Sequence, residues 1–291
     1  MSIVERALAK AAALGRDAGP PVVENSPVRR TRPAHPAPHA RDGATIDLNA
    51  RVLLEGGLPL LQAQGLLAEE LRVIKRPLLL NAQADRTPSV PNGNLLMIGS
   101  ALPGAGKTFM SLNLAMSMAS ELDWNVLLID ADVSRPALST HLGLAEAPGL
   151  INLLASEEAD LSDFARKTSN PRLNFLPAGP ARDLSKELLG SQRMRTLADN
   201  LSRVQHHIVI FDSPPLLLTS EARVLASYVG QIVVVVEAGV TPRRSLLDAI
   251  EVLDPSKAIN LVLNKSRQVF GIGDYHYSGY EPDSRASVDP K

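Results

Sequence analysis

From Leu95 onward the chain alternates between two hydrophobic rhythms. Runs dominated by apolar residues at Leu95–Ile98, Val126–Ile129, Leu173–Leu176, Ile208–Phe211, Ile232–Val236 and Ile259–Leu263 read as buried strands. Between them, Phe109–Ala119, Gly149–Ala155, Ser191–Val204, Glu221–Ser227 and Arg243–Leu253 read as helices. Strands that are apolar at nearly every position, instead of at every second one, belong to a sheet covered on both faces. Strand–helix alternation makes that sheet parallel. The expectation is an α/β fold, a mostly parallel sheet with helices on both faces. Ligands of such sheets sit beyond the carboxyl ends of the strands, so chemistry is sought there.

Upstream the rhythm changes. Leu67, Leu71, Ile74 and Leu78 form a helical stripe, which Pro77 is expected to kink or end. Ile3, Val4, Ala7, Leu8 and Ala11 predict a short amphipathic helix. Pro20–Pro38, rich in proline and arginine with almost no large apolar residue, predicts a disordered linker. The expected organisation is a helix and linker over 1–43, a helical extension over 44–92, a main domain over 93–266 and a flexible tail over 267–291.

Composition narrows the function. The chain has 291 residues, 45% of them hydrophobic, enough for one principal core. A net charge of −1 points to neither a nucleic-acid nor a general membrane-surface role. With no cysteine, disulfides, thiolate metal sites and iron–sulfur clusters are excluded. No apolar run approaches the ~20 residues of a membrane-spanning helix. The expectation is a cytoplasmic protein, with any membrane role coming through a partner.

The strongest chemical signal follows the first strand: Gly104-Ala105-Gly106-Lys107-Thr108. Between strand and helix this is a phosphate-binding loop, the hallmark of a P-loop NTPase. Glycines let the backbone wrap a polyphosphate, with amide N–H groups and the helix N-terminus facing its oxygens. Lys107 is expected to reach the outer phosphates, and Thr108 to hold Mg²⁺. The nucleotide-binding segment is Pro103, Gly104, Ala105, Gly106, Lys107, Thr108 and Phe109. Ala101 replaces the first glycine of the usual G-x-x-x-x-G-K-[ST] pattern.

Two other strands end in carboxylates. Val126–Ile129 runs into Asp130-Ala131-Asp132, and Ile208–Phe211 into Asp212-Ser213-Pro214-Pro215. Beside a Mg-nucleotide, one acid can position or deprotonate a hydroxyl while others hold metal. The Asp130–Asp132 pair alone fits a helix-capping turn equally well. The apolar run ending in Asp212 is a Walker-B pattern and favours the catalytic reading. The last strand ends in Asn264, an amide able to read a base edge. The absence of Asn-Lys-x-Asp spacing, with Arg267 in the fourth position, favours ATP over GTP.

Of four tyrosines in the chain, Tyr275, Tyr277 and Tyr280 cluster near the C-terminus. Without a nucleotide site they would read as a low-complexity tail. With one, they are candidate phosphoryl acceptors, their phenols needing a carboxylate to assist.

Taken together, the loop at 100–108, Asp130-x-Asp132, Asp212-Ser-Pro-Pro and the tyrosine cluster resemble the bacterial tyrosine kinases, across about residues 45–280. Glu70–Pro77 and Ser213–Gln231 are similar to the exosortase-associated autokinase subgroup. The resemblance implies an ATP- and Mg²⁺-dependent protein-tyrosine autokinase of exopolysaccharide biosynthesis. Lys107, Asp130, Asp132 and Asp212 would be catalytic, and Thr108, Asp132 and Asp212 metal-binding. It also implies a homo-oligomeric ring held through Glu69, Arg72 and Lys75, and a separate membrane-embedded chain-length-determinant activator. An exposed helix with internal ion pairs fits those three residues as well. Two departures stand out: Ser134 occupies the usual arginine position, with Arg135 one residue later, and Leu102 replaces the second lysine of partition ATPases. The rival function is a non-kinase P-loop ATPase switch of the partition type.

Overall fold

A computed structural model describes residues 45–48, 66–83, 90–180 and 185–266. The expected N-terminal helix, the Pro/Arg linker and the tyrosine cluster lie outside the described residues. The elements are α1 (Leu66–Asn81), β1 (Leu95–Ser100), α2 (Lys107–Ala119), β2 (Asn125–Asp130) and α3 (Ala137–His141). Then come α4 (Leu150–Ala155), α5 (Leu161–Phe164), β3 (Arg166–Lys167), β4 (Leu173–Leu176), α6 (Ser185–Leu189) and α7 (Gln192–Ser202). The chain continues through β5 (His207–Asp212), α8 (Ser220–Tyr228), β6 (Gln231–Glu237), α9 (Arg243–Glu251) and β7 (Ala258–Asn264).

These strands form one seven-stranded sheet in the order β3-β4-β2-β5-β1-β6-β7. Every pairing is parallel except β3 with β4. β1 explains why the apolar runs are continuous: Leu95 and Met97 enter the core on one face, and Leu96 and Ile98 the core on the other. Because both faces are buried, a period of two leaves no polar position. β1 is central, so its carboxyl end opens between β5 and β6, where the chain's order along the sheet reverses. That crevice is the ligand position of an open parallel sheet.

Three short helices, α3, α5 and α6, went unread because one turn is too brief to show a period. The two-residue β3 was missed for the same reason; beside it Ile46 bridges to Thr168, with Ile46 N–H donating to the Lys167 carbonyl at 2.9 Å. His207, beginning the interior strand β5, is buried.

In α1, Leu71 and Leu78 pack into the core that α2 also covers. The helix does not end at Pro77 but continues to Asn81. Its last turn is tied to β6: Gln231 Nε2 donates to the Leu78 carbonyl at 2.9 Å, and Asn81 Nδ2 to Gln231 Oε1 at 3.0 Å. The three residues expected at the ring contact, Glu69, Arg72 and Lys75, do not share one exposed face. Glu69 and Arg72 are exposed and pair with each other. Lys75, only 6% exposed, turns inward, donating to the Ser117 carbonyl at 2.8 Å and pairing with Glu121 at 2.6 Å. Its ammonium is used within the chain, at the carboxyl end of α2, where a positive charge is favourable.

Candidate active site at the strand ends

β1 ends at Ser100 and hands the chain to a turn that enters α2 at Lys107. Gly104 and Gly106 have φ of 86° and 94°, left-handed values that L side chains rarely adopt. Gly106 has a second reason to lack a side chain, because a Cβ there would lie 2.2 Å from Asn264 Nδ2. Ala101 departs from the glycine pattern at little cost: it is 1% exposed and its methyl packs into the core. Gly106 is the N-cap of α2 and offers no side-chain cap, so the first-turn N–H groups remain available to an anion.

Behind the loop, the segment after β5 acts as a brace. Ser213 Oγ donates to the Ile98 carbonyl at 2.9 Å, and Leu216 N–H to the Ser100 carbonyl at 2.9 Å. The Asp-Ser-Pro-Pro wording thus has a local cause: the serine stitches β5 to β1 just past the aspartate.

The register puts Asp130 opposite Asp212, and Asp212 opposite Ile98. Two carboxylates from separated stretches of sequence therefore meet beside the loop. Asp130 is fully buried, its Oδ2 accepting from Ser139 N–H at 2.8 Å and Ser139 Oγ at 2.7 Å. Burial, reinforced by the charge of Asp212, pushes its carboxyl up to about 8 despite those donors. Asp212 accepts from Ser111 Oγ at 2.9 Å and from the Thr108 hydroxyl. Burial raises it to about 6, opposed by both hydroxyls and by Lys107.

Asp132 is half-buried and also raised by burial, with the Arg135 N–H and the Lys107 and Arg135 charges pulling the other way. Arg135 N–H donates to Asp132 Oδ1 at 3.1 Å. That donor is the backbone amide, so what the arginine side chain itself adds at Asp132 is its charge. Phe109 is half-buried against the core, and Trp124 packs there too, its ring 5.9 Å from His206.

On the other side of β1 the geometry adds to expectation. Asn264 also braces the loop, a contact its strand-end position did not predict: Nδ2 donates to the Ala105 carbonyl at 2.9 Å. Lys265 Nζ donates to the Gly104 carbonyl at 2.8 Å and pairs with Glu237 at 3.0 Å. Sequence reasoning missed Ser111, Ser139, Glu237 and Lys265. Only Ser111 carried a signal, lying one helical turn beyond Thr108.

Among the described residues no three His, Cys, Asp or Glu cluster as a metal site of their own. The donor set present, Thr108, Asp132 and Asp212 beside a phosphate cradle, fits Mg²⁺, which keeps waters and takes phosphate oxygens with one or two carboxylates.

A family model described as an AAA domain matches residues 95–257, the stretch from β1 to the start of β7. The tyrosine-protein kinase YwqD of Bacillus subtilis (strain 168) is 31% identical over 186 residues, covering 63% of this chain and 77% of YwqD. The chain belongs to the bacterial tyrosine-protein kinases. This family's kinase domain is a P-loop fold that binds nucleotide. The kinase domain of the Escherichia coli tyrosine kinase ETK superposes with a TM-score of 0.57 at 27% identity, over 70% of this chain and 79% of that one. The succinoglycan biosynthesis transport protein ExoP of Rhizobium meliloti (strain 1021) is 34% identical over 177 residues. The match covers 59% of this chain but only 22% of ExoP. Among the described residues, no helix is long and apolar enough to cross a membrane.

Proposed function

We propose that this kinase transfers the γ-phosphate of ATP to its own C-terminal tyrosines, Tyr275, Tyr277 and Tyr280, in trans between subunits of a ring. The observation that carries the reading is the register pairing of Asp130 with Asp212 beside the glycine loop and Lys107. Phosphoryl transfer needs positioning and charge stabilisation more than covalent help, and this arrangement supplies both. Lys107 and the loop amides bind the phosphates. Thr108, Asp132 and Asp212 would hold Mg²⁺, which would supply neutralisation of the phosphate charge. Asp130 positions the incoming phenol and takes its proton.

Each phosphotyrosine adds about −1.5 to −2 charge, and accumulated repulsion loosens the ring. Glu69 and Arg72, both exposed, are the ring contacts that remain from the expected three. A separate membrane-embedded chain-length protein anchors and stimulates the enzyme, which regulates exopolysaccharide production within the exosortase-associated subgroup. The likeness to a succinoglycan biosynthesis protein supports that setting.

Incubation of the full chain with γ-labelled ATP and Mg²⁺ tests the reading. Label should be retained on tyrosine and lost in the Tyr275→Phe/Tyr277→Phe/Tyr280→Phe variant. Free phosphate with no labelled protein would instead establish the ATPase switch.

A further inference from the structure

Asn264, which ends β7, and Lys265, which follows it, hold two successive carbonyls of the phosphate loop from behind. Asn264 takes the Ala105 carbonyl and Lys265 the Gly104 carbonyl. In a trans peptide the N–H lies antiparallel to the C=O of the same unit. Fixing the Gly104 carbonyl therefore aims the Ala105 N–H the opposite way, and fixing the Ala105 carbonyl aims the Gly106 N–H likewise. We infer that Asn264 and Lys265, with Glu237 steadying the lysine, are positioning residues that pre-orient these two amides toward the polyphosphate. The inference rests on the nucleotide-binding reading of the loop.

Three observations converge on it. Successive side chains of a strand point to opposite faces, so neighbours such as Asn264 and Lys265 should not both reach one loop. Lys265 escapes this rule through a φ of 56°, a left-handed value uncommon outside glycine. Strain of this kind persists where surrounding contacts over-determine it, and here both side chains hold the loop. Second, Glu237 lies opposite Asn264 in the β6–β7 register and accepts from Lys265 Nζ at 3.0 Å, fixing where the ammonium sits. Third, the clamp and the glycine pattern fit each other, since any side chain at 106 would collide with Asn264 Nδ2. An ammonium on a carbonyl also polarises that peptide, strengthening its N–H as a donor to an anion.

Titration calorimetry on the full chain separates the outcomes, using MgATP and inorganic tripolyphosphate as probes. Lys265→Met should weaken both about tenfold, or 1.4 kcal/mol, and Lys265→Arg should restore most of the loss. Glu237→Gln, which frees the lysine without altering side-chain size, should cost about threefold and carries the test if Lys265→Met fails to fold. Equal tripolyphosphate affinity in folded Lys265→Met and Glu237→Gln overturns the clamp. A loss confined to ATP, sparing tripolyphosphate, also overturns it, because that pattern marks a contact with the base. A parent chain that takes up no ATP would instead remove the nucleotide site itself, a result the parent titration reads separately.

Discussion

Flanking β1 are two pairs of strand ends with the same topology and opposite chemistry. On one side β2 and β5 finish in facing carboxylates, Asp130 and Asp212, both buried and fed by serine and threonine hydroxyls. On the other, β6 and β7 finish in Glu237 and Asn264, followed by Lys265; all are partly accessible, Asn264 and Lys265 directed at the loop's carbonyls and Glu237 at Lys265. Depth makes the difference. β2 and β5 bring their last residues under cover, where a carboxylate gains protons unless a cation arrives. β7 is at the sheet edge, where an ion pair stays solvated and serves as a fastening. The buried flank is set up to respond to charge, and the edge flank to hold shape.

The largest expected effect divides the flanks kinetically. Asp212→Asn should lower the rate of tyrosine phosphorylation by ~10²–10³-fold, since it removes a group that acts on charge in the transition state. Nucleotide binding should survive, the reverse of the affinity loss expected at Lys265. Single-turnover labelling beside calorimetry reads the two; a fall in affinity without a fall in rate at saturation would erase the contrast.

Next comes pH. Asp130 and Asp212 have folded-state values raised from 3.8 to about 8 and about 6. The folded protein therefore binds more protons than the unfolded chain above pH 3.8. The stability they contribute is present below that point and is lost as pH rises through about 6 and about 8. Urea unfolding of nucleotide-free protein between pH 5 and pH 8.5 should show the decline, by more than ~1.4 kcal/mol. Asp130→Asn should flatten it, whereas Glu237→Gln should leave it in place.

The smallest effect concerns a hydroxyl. Ser111→Ala withdraws the 2.9 Å donor to Asp212 and should cost about 1 kcal/mol by denaturant midpoint. It should also move the acid limb of the activity profile upward.

Much of this was legible in residues. Long apolar strands announced themselves because burial on both faces leaves no polar position, and the sheet's parallel character followed from alternation with helices. The glycine loop and the acidic strand ends were readable as residue patterns, and the sheet register brings them together at the carboxyl ends of β1, β2 and β5. What stayed hidden depended on register or on side-chain direction. Ser139 reaches Asp130 from a five-residue helix whose place no periodicity records. Lys75 keeps helical spacing with Glu69 and Arg72, yet packing of Leu71 and Leu78 rotates it toward α2. Asn264 was found at its strand end, but its bond to the Ala105 carbonyl was not, since a strand pattern says which residue ends a strand and not what its amide touches.

Lys75 also changes how the molecule handles force. It fastens α1 to the Ser117 carbonyl, near one end of a 13-residue helix whose other end cradles phosphate. A helix of that length is a stiff strut about 20 Å long. A load on the outer surface of α1 is thus shared between its packing, its ties to β6 and this ammonium, and the last of these leads along the strut to the glycine loop.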